Sequence, residues 1–531
     1  MTHRLSPDSL RAGIAHLSRY GDTDIFPHLQ EISFFADERE AIIAELAKLD
    51  LDTYMPAGAV EALAPKGRYS FRIAHQLPAL DTLLLLACVI EIGDKIEARR
   101  QSGLGARAFS YRFAVDADNG QVFRPDRTYK DWLHRQKSLV TKDKKIRRII
   151  TTDVSDYYSR INFHRLENLL DEAAPGDGAV RLIKKHIKVI RAKQSFGLPV
   201  GGSAARLLAE LALIDTDQAL KDRGLAVTRF VDDFRIFLTA SDNTYDALGF
   251  LAEQLGITEG LSLNSAKTMV ITRRDYVHTL DIMTTDLEEE AEGIALDTLT
   301  TQLYFDQEPD EDDLKKLKGL NLVGMLETAI EEKYWDIGRI RVLFRALKIV
   351  KPISAIEFIK ERFEELLVFG RELCLLMEAL EDESPGCFQE TLDEIVDSIL
   401  MAPASSVQLI RTWLLEILVR GIVDVSLIKL KKLEGLPAMA DRRQLLLIRG
   451  RCNDRAYFRK QKTAISSFSE AEMPCLVWGA SCLPKDEFVI WLETAKQSFG
   501  RPLGALFLKW IARNKTKLVS KLKPTVVDAP E

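Results

Sequence analysis

The stretch Arg229–Phe237, RFVDDFRIF, decides how the front half of this chain is read. It is apolar up to Val231, breaks at the adjacent carboxylates Asp232 and Asp233, and alternates again through Phe234, Ile236 and Phe237. A period of two marks strands, and an Asp pair between two short strands marks a turn. Two anionic groups side by side in a tight hairpin repel each other, so the position needs either full solvation or a positive partner.

Upstream, TTDVSDYYSRI (Thr151–Ile161) puts Asp153 at the end of a β-rich strand, with Tyr157 and Tyr158 just beyond. Asp153 and Asp232 lie 79 residues apart with helical sequence between them. A strand-end Asp beside a hairpin Asp pair is a cluster of hard oxygen donors. It suits Mg²⁺, which takes a few carboxylates together with substrate phosphates. Two such ions support phosphoryl transfer by activating an attacking oxygen and stabilising a leaving one. The plain alternative is a helix-capping Asp153 and an unrelated turn at Asp232-Asp233. Two further stretches tilt the balance. FGLPVGGSAARLLAE (Phe196–Glu210) is a Gly/Pro loop opening into a helix, where backbone can approach a base or sugar closely. LSLNSAKTMVI (Leu261–Ile271) sets Lys267 in a polar turn 34 residues past Asp233, as a charge partner or a proton donor to leaving pyrophosphate. An ordinary surface lysine is the competing reading.

Taken in order, the strand-end carboxylate with its aromatics, the Gly-x-Pro loop, the hairpin Asp-Asp and the Lys-Thr turn resemble the palm of a reverse transcriptase, over residues 60–275. The resemblance implies that Asp153 and Asp232 ligate two Mg²⁺ ions, with Mn²⁺ as a substitute, and that Asp233 completes the pocket. It makes Tyr158 the gate that excludes a ribose 2′-hydroxyl. It assigns nucleotide contacts to Gly197, Pro199 and Gly201, and, in finger segments around YSFRIAHQLP and FSYRF, to Arg72 and Arg112. Val200 stands where most of the family has Gln, and Phe230 where it has Tyr.

Past the acidic stretches Asp286–Gly293 and Asp306–Asp313 the texture changes, and from Leu314 to Lys517 the period is helical throughout. No thumb, RNase H or maturase segment is visible. This combination resembles the bacterial abortive-infection reverse transcriptases, the AbiK, AbiA and prophage P2-borne group, whose N-terminal segment RYGDTDIFPHLQEISFF (Arg19–Phe35) is also similar to theirs. The implied fold is an α/β palm-and-fingers unit followed by an all-α HEAT-like repeat domain, with an N-terminal segment at 1–60, fingers and palm at 61–290 and helical repeats at 291–531. The implied activity is DNA polymerisation in anti-phage defence by a homo-oligomer, without a template and primed by a tyrosine of the protein. Tyr54, in the turn-rich and accessible-looking DLDTYMPAG, leads the candidates, with Tyr20 and Tyr69 behind it. Implied partners are dNTPs and a single-stranded DNA product, or RNA in the rival reading of a templated enzyme copying a dedicated non-coding RNA. A second rival is a helical scaffold carrying a vestigial palm.

Bulk properties fit. The 531 residues are 46% apolar and 29% charged, enough for roughly two to four domains. The net charge of −6 excludes a surface basic all over but allows a local channel. Two basic runs, His134–Arg148 and Arg181–Lys193, are candidates to line one, and the C-terminal FLKWIARNKTKLVSKLK is a basic amphipathic helix. Six scattered cysteines without metal-ligand spacing point to reduced thiols in a cytoplasmic protein, and the family resemblance implies a bacterial one. The apolar run at 77–97 is interrupted by Asp81 and Glu91, which argues against a membrane span.

Overall fold

Two hairpins precede the sheet that carries the aspartates. β1 (Val60–Gly67) pairs antiparallel with β2 (Ser70–Gln76), and β3 (Phe113–Asp116) with β4 (Gln121–Phe123) around the Asp118-Asn119-Gly120 turn. Gly120 has φ +64°, and a Cβ there would lie 2.7 Å from the Ala15 carbonyl oxygen, so the turn accepts only glycine. The structure, a computed structural model, describes residues 3–100, 107–190, 195–284 and 311–520. The expected boundary at 290/291 and the tail from 521 lie outside the described residues.

The central sheet has four antiparallel strands: β5 (Ile146–Asp153), β6 (Ala226–Phe230), β7 (Asp233–Thr239) and β8 (Met269–Thr272), in the order β6-β7-β5-β8. Its alternation buries both faces. Ile149 and Phe237 face the helices Tyr129–Lys142 and Arg273–Thr284, where they pack with Trp132, Leu133, Tyr276 and Leu280. Ile150, Phe234, Ile236 and Leu238 point the other way into the main core. The apolar run at 77–97 is carried largely by two helices, Ala79–Glu91 and Gly93–Arg99. The chain bends at Ile92, and the ring of Phe113 lies so close to Gly93 that a Cβ there would sit 2.2 Å from it.

From Glu311 onward the described residues are helical, as the period predicts. Helices Ile337–Val350, Gly370–Glu383, Gln408–Arg420, Met439–Arg451 and Met473–Ala480 stack in chain order, each on the next. This stack leans on the front of the chain, with Gln408–Arg420 and Met439–Arg451 packed against β1. The Trp413 indole N–H donates to the Ile25 carbonyl at 2.8 Å, and Arg443 donates to Gln76 at 2.9 Å. The last helix, Gly504–Ser520, returns to the first residues: Phe34 packs edge-on against Phe507, and Trp510 donates to Asp37 at 2.8 Å. The first sixty residues therefore bridge the two halves. None of the described helices is long and apolar enough to cross a membrane.

His16 shows how tightly this bridge is drawn. On the helix Pro7–Tyr20, it is buried between the Gly120 carbonyl, which its Nδ1–H reaches at 2.7 Å, and the Ser203 hydroxyl at 2.8 Å from Nε2. Burial lowers its pKa from 6.5 to about 4, against the opposing pull of the Gly120 hydrogen bond. A folded-state pKa below the unfolded one means stability that is complete above about pH 6.5 and is lost as pH falls toward 4. The loss should reach about 3 kcal/mol. Thermal unfolding midpoints taken between pH 7 and 4 should fall less steeply for His16→Gln than for the wild type; parallel slopes would contradict this assignment.

Candidate active site

Three segments far apart in sequence meet at the end of β5. The β5–β7 register sets Asp153 directly opposite Asp233, and the Val154 N–H donates to the Asp232 carbonyl at 3.2 Å. Asp232 occupies the turn between β6 and β7, with its carboxyl against that of Asp153. Burial, then the charge of Asp153, pushes the Asp232 pKa up to about 8. From the third segment, Lys267 Nζ lies 2.8 Å from Asp153 Oδ2, while its own side chain remains 64% exposed. Burial would lower its pKa, but the hydrogen bond and charge of Asp153 hold it above the ordinary value. The turn that presents Lys267 is anchored on the same residue, since the Asn264 N–H donates to the Asp153 carbonyl at 2.7 Å.

Asp233 is turned elsewhere. It accepts from Arg235 at 3.0 Å, and the Arg235 guanidinium lies over the Trp132 ring at 5.1 Å. This explains why, among the described residues, no group of three or more His, Cys, Asp or Glu side chains is placed as a ready-made metal cage. The donor set that remains, Asp153 with Asp232, is the one or two carboxylates that Mg²⁺ takes when water and phosphate complete its shell. A buried carboxyl driven up by a neighbouring carboxylate also favours a cation between them. The residues fit the ion.

The two tyrosines divide as side chains on neighbouring positions of a short helix must. Tyr157 is core, and its hydroxyl donates to the Ala209 carbonyl. Tyr158 is half-buried at the site, near enough to Asp232, Arg206 and Tyr111 to feel their charges, and burial drives its pKa well up. The glycine loop is tied to it: the Leu198 N–H donates to the Tyr158 carbonyl at 2.8 Å, and that of Gly197 to the Ile161 carbonyl at 2.7 Å. Leu198, between Gly197 and Pro199, thus sits on the Tyr158 backbone. Gly201 has φ +108°, and a Cβ there would sit 2.4 Å from the Thr23 hydroxyl, so the N-terminal segment covers this part of the loop.

Other expected residues are placed differently. Arg112 is buried and paired with Glu97 at 2.5 Å. Arg72, on β2, lines a cleft with Asp24, Arg341, Arg371 and Glu372 that includes none of the three aspartates. Tyr54 is not accessible: it is buried, donates to Asp81 at 2.9 Å and accepts from Arg501 at 2.9 Å. Asp81 is itself buried and held by Arg501 at 2.8 Å, so Tyr54 belongs to a tie between the chain's two ends. Tyr20 is half-buried against His16 and lines a cavity with Pro199 and Gly201. Tyr69, at the tip of the β1–β2 hairpin, is 84% exposed. Much of the second basic run is also spent internally: Arg181 on Asp52, Lys184 on Asp171, and Lys185 on the Asp52 carbonyl. In the first run Lys142, Lys144, Lys145 and Arg147 are exposed, near the start of β5, roughly 23 Å along the strand from Asp153.

Sequence reasoning missed the support beneath the hairpin. Ser110, Glu210 and Arg229 are fully buried in a hydrogen-bonded cluster under Val231. The one local signal was Arg229, an arginine inside an apolar strand, which has to find an acid.

No protein-family model matches the chain, and no curated protein matches it in sequence. Among solved structures it is similar to telomerases. Apo telomerase from Candida tropicalis shares 13% identity over 72% of each chain, with a TM-score of 0.35. Telomerase from Candida albicans with a fragment of telomeric RNA shares 13% identity over 73% of this chain and 71% of that one, at 0.31. The corresponding Candida tropicalis complex shares 14% identity over 72% and 68%, at 0.33.

The split between the tyrosines is testable. Tyr157→Phe removes one buried hydrogen bond and should cost about 1 kcal/mol of stability, read from denaturant unfolding, with Asp153 and Asp232 undisturbed. A variant as stable as the wild type would contradict the structural role.

Proposed function

We propose that this chain is a DNA-polymerising nucleotidyltransferase of the reverse-transcriptase type. The observation that carries this reading is the contact of Asp153 and Asp232, delivered by the β5–β7 register and capped by Lys267. Two carboxylates pressed together at the ends of the sheet's central strands, with an exposed lysine on one of them, form a poor structural ion pair. They form a good cradle for divalent cations and a triphosphate. Bound there, Mg²⁺ would lower the pKa of the attacking hydroxyl and neutralise charge building on the phosphates.

The chain's own residues supply the rest. Asp153 and Asp232 hold the ions, and Lys267, reaching in from a solvent-exposed turn, can leave Asp153 for a phosphate oxygen and offer a proton or a charge to departing pyrophosphate. Tyr158, close enough to Asp232 to feel its charge, is the ring that would meet a sugar 2′-hydroxyl. The glycine loop at Gly197, Pro199 and Gly201 offers backbone for close approach of base or sugar. We assign the protein to bacterial anti-phage defence as a homo-oligomer making single-stranded DNA without a template. The order of motifs followed by a helical stack, which resembles the abortive-infection group, supports this. A tyrosine primer would have to be exposed, which favours Tyr69 and demotes Tyr54.

Purified protein incubated with Mg²⁺ and labelled dNTPs, with no template or primer, should incorporate label into protein-linked DNA. The Asp232→Ala, Asp233→Ala variant should incorporate none. Incorporation only when cellular RNA is added back would favour a templated enzyme, and none under either condition would contradict the polymerase reading. In the same assay Tyr158→Ala should raise the use of ribonucleotides relative to deoxynucleotides by about ten-fold or more. An unchanged ratio would remove Tyr158 from the role of gate.

A further inference from the structure

The catalytic hairpin poses a backbone problem that the aspartates do not solve. Val231, the residue before Asp232, has φ +54°, a left-handed conformation that β-branched residues avoid. Something must hold it there, and strain of this kind persists only where the surroundings overdetermine it. Both polar groups of the Val231 backbone are gripped by side chains. Its N–H donates to the Ser110 hydroxyl at 2.8 Å, and its carbonyl accepts from Arg229 at 2.8 Å. Glu210 joins the two grips, accepting from the Ser110 hydroxyl and from Arg229 at 2.9 Å. Ser110, Glu210 and Arg229 are all 0% exposed.

The cluster is fixed from outside as well. Arg229 forks onto Asp217 at 2.8 and 2.7 Å. Arg100 donates to Glu210 at 2.9 Å and to the carbonyls of Ser110 and Tyr111 at 2.7 Å each. Tyr111 is the other strained residue here, at φ +43°, and its ring meets the Arg206 guanidinium at 5.3 Å beside Tyr158. Two buried arginines balanced by two buried acids are a costly way to fill a core, and apolar residues of similar volume would be no less stable. Here the hydrogen bonds converge on the backbone of one strained residue next to Asp232.

We propose that Ser110, Glu210 and Arg229 form a brace that holds Val231 left-handed and so sets Asp232 against Asp153. They are positioning residues, acting through Val231. The inference rests on reading Asp153 and Asp232 as the metal-binding pair.

The brace predicts a specific rescue. Glycine adopts the left-handed conformation without strain, so Val231→Gly should make the Ser110 contact dispensable. Ser110→Ala, Val231→Gly and the double variant are compared with the wild type in dNTP incorporation, in binding of Mn²⁺ alone followed by electron paramagnetic resonance, and in thermal unfolding. Ser110→Ala should lower kcat for incorporation by about ten-fold, the equivalent of roughly 1.4 kcal/mol, with KM for dNTP little changed. It should also weaken Mn²⁺ binding. The double variant should recover most of both losses. If Ser110→Ala does not fold, Ser110→Cys, which keeps a weak acceptor, replaces it.

Wild-type Mn²⁺ binding in Ser110→Ala would overturn the brace. So would a double variant as impaired as the single one. A wild type that binds Mn²⁺ but incorporates nothing would sink the polymerase reading alone, and the brace would then stand or fall on the Mn²⁺ series.

Discussion

Two carboxylates held in contact repel each other, and the arrangement of this molecule around Asp153 and Asp232 follows from that constraint. The β5–β7 pairing forces them together, and burial raises the pKa of Asp232 to about 8. Positive charge has to be supplied beside them. Lys267 supplies it from a turn whose backbone is bonded to Asp153 itself, and Arg235 takes up the third carboxylate, Asp233. A site that depends on an exposed lysine is one where a divalent cation and its phosphates could take that lysine's place.

The strands and the hairpin were legible because a period of two with a polar break has few other meanings. RFVDDFRIF and RIITTD fold as their alternation requires, and the turn at Asp118-Asn119-Gly120 follows from local chemistry. The helical stack was equally plain from its period. What could not be read depends on partners distant in sequence. Tyr54 sits in a turn-like stretch, yet Asp81, 27 residues on, and Arg501, 447 residues on, bury it. Arg112 was read as a nucleotide contact and is given to Glu97. The Arg181–Lys193 run looked like a channel lining, and much of it instead anchors the N-terminal segment and neighbouring helices. A charge pattern reveals which residues need partners; the fold decides which ones they receive.

The first sixty residues take on more than their composition suggested. They touch the glycine loop at Gly201, receive Trp413 and Trp510 from the helical stack, and place His16 between a hairpin and the helix that opens at Ser203. The stack therefore meets the front of the chain largely through this segment and β1. Ile25, which receives Trp413, and Thr23, which meets Gly201, are only two residues apart.

The central claim is that Asp153 and Asp232 together hold divalent cations, with Lys267 giving up its place on Asp153 to them. Diffraction from crystals grown with Mn²⁺ and a non-hydrolysable deoxynucleoside triphosphate, collected at the manganese absorption edge, tests it most directly. The account predicts an anomalous peak between the two carboxylates, with Lys267 swung from Asp153 onto a phosphate. A nucleotide or manganese bound elsewhere, with the Lys267–Asp153 pair intact, would contradict it.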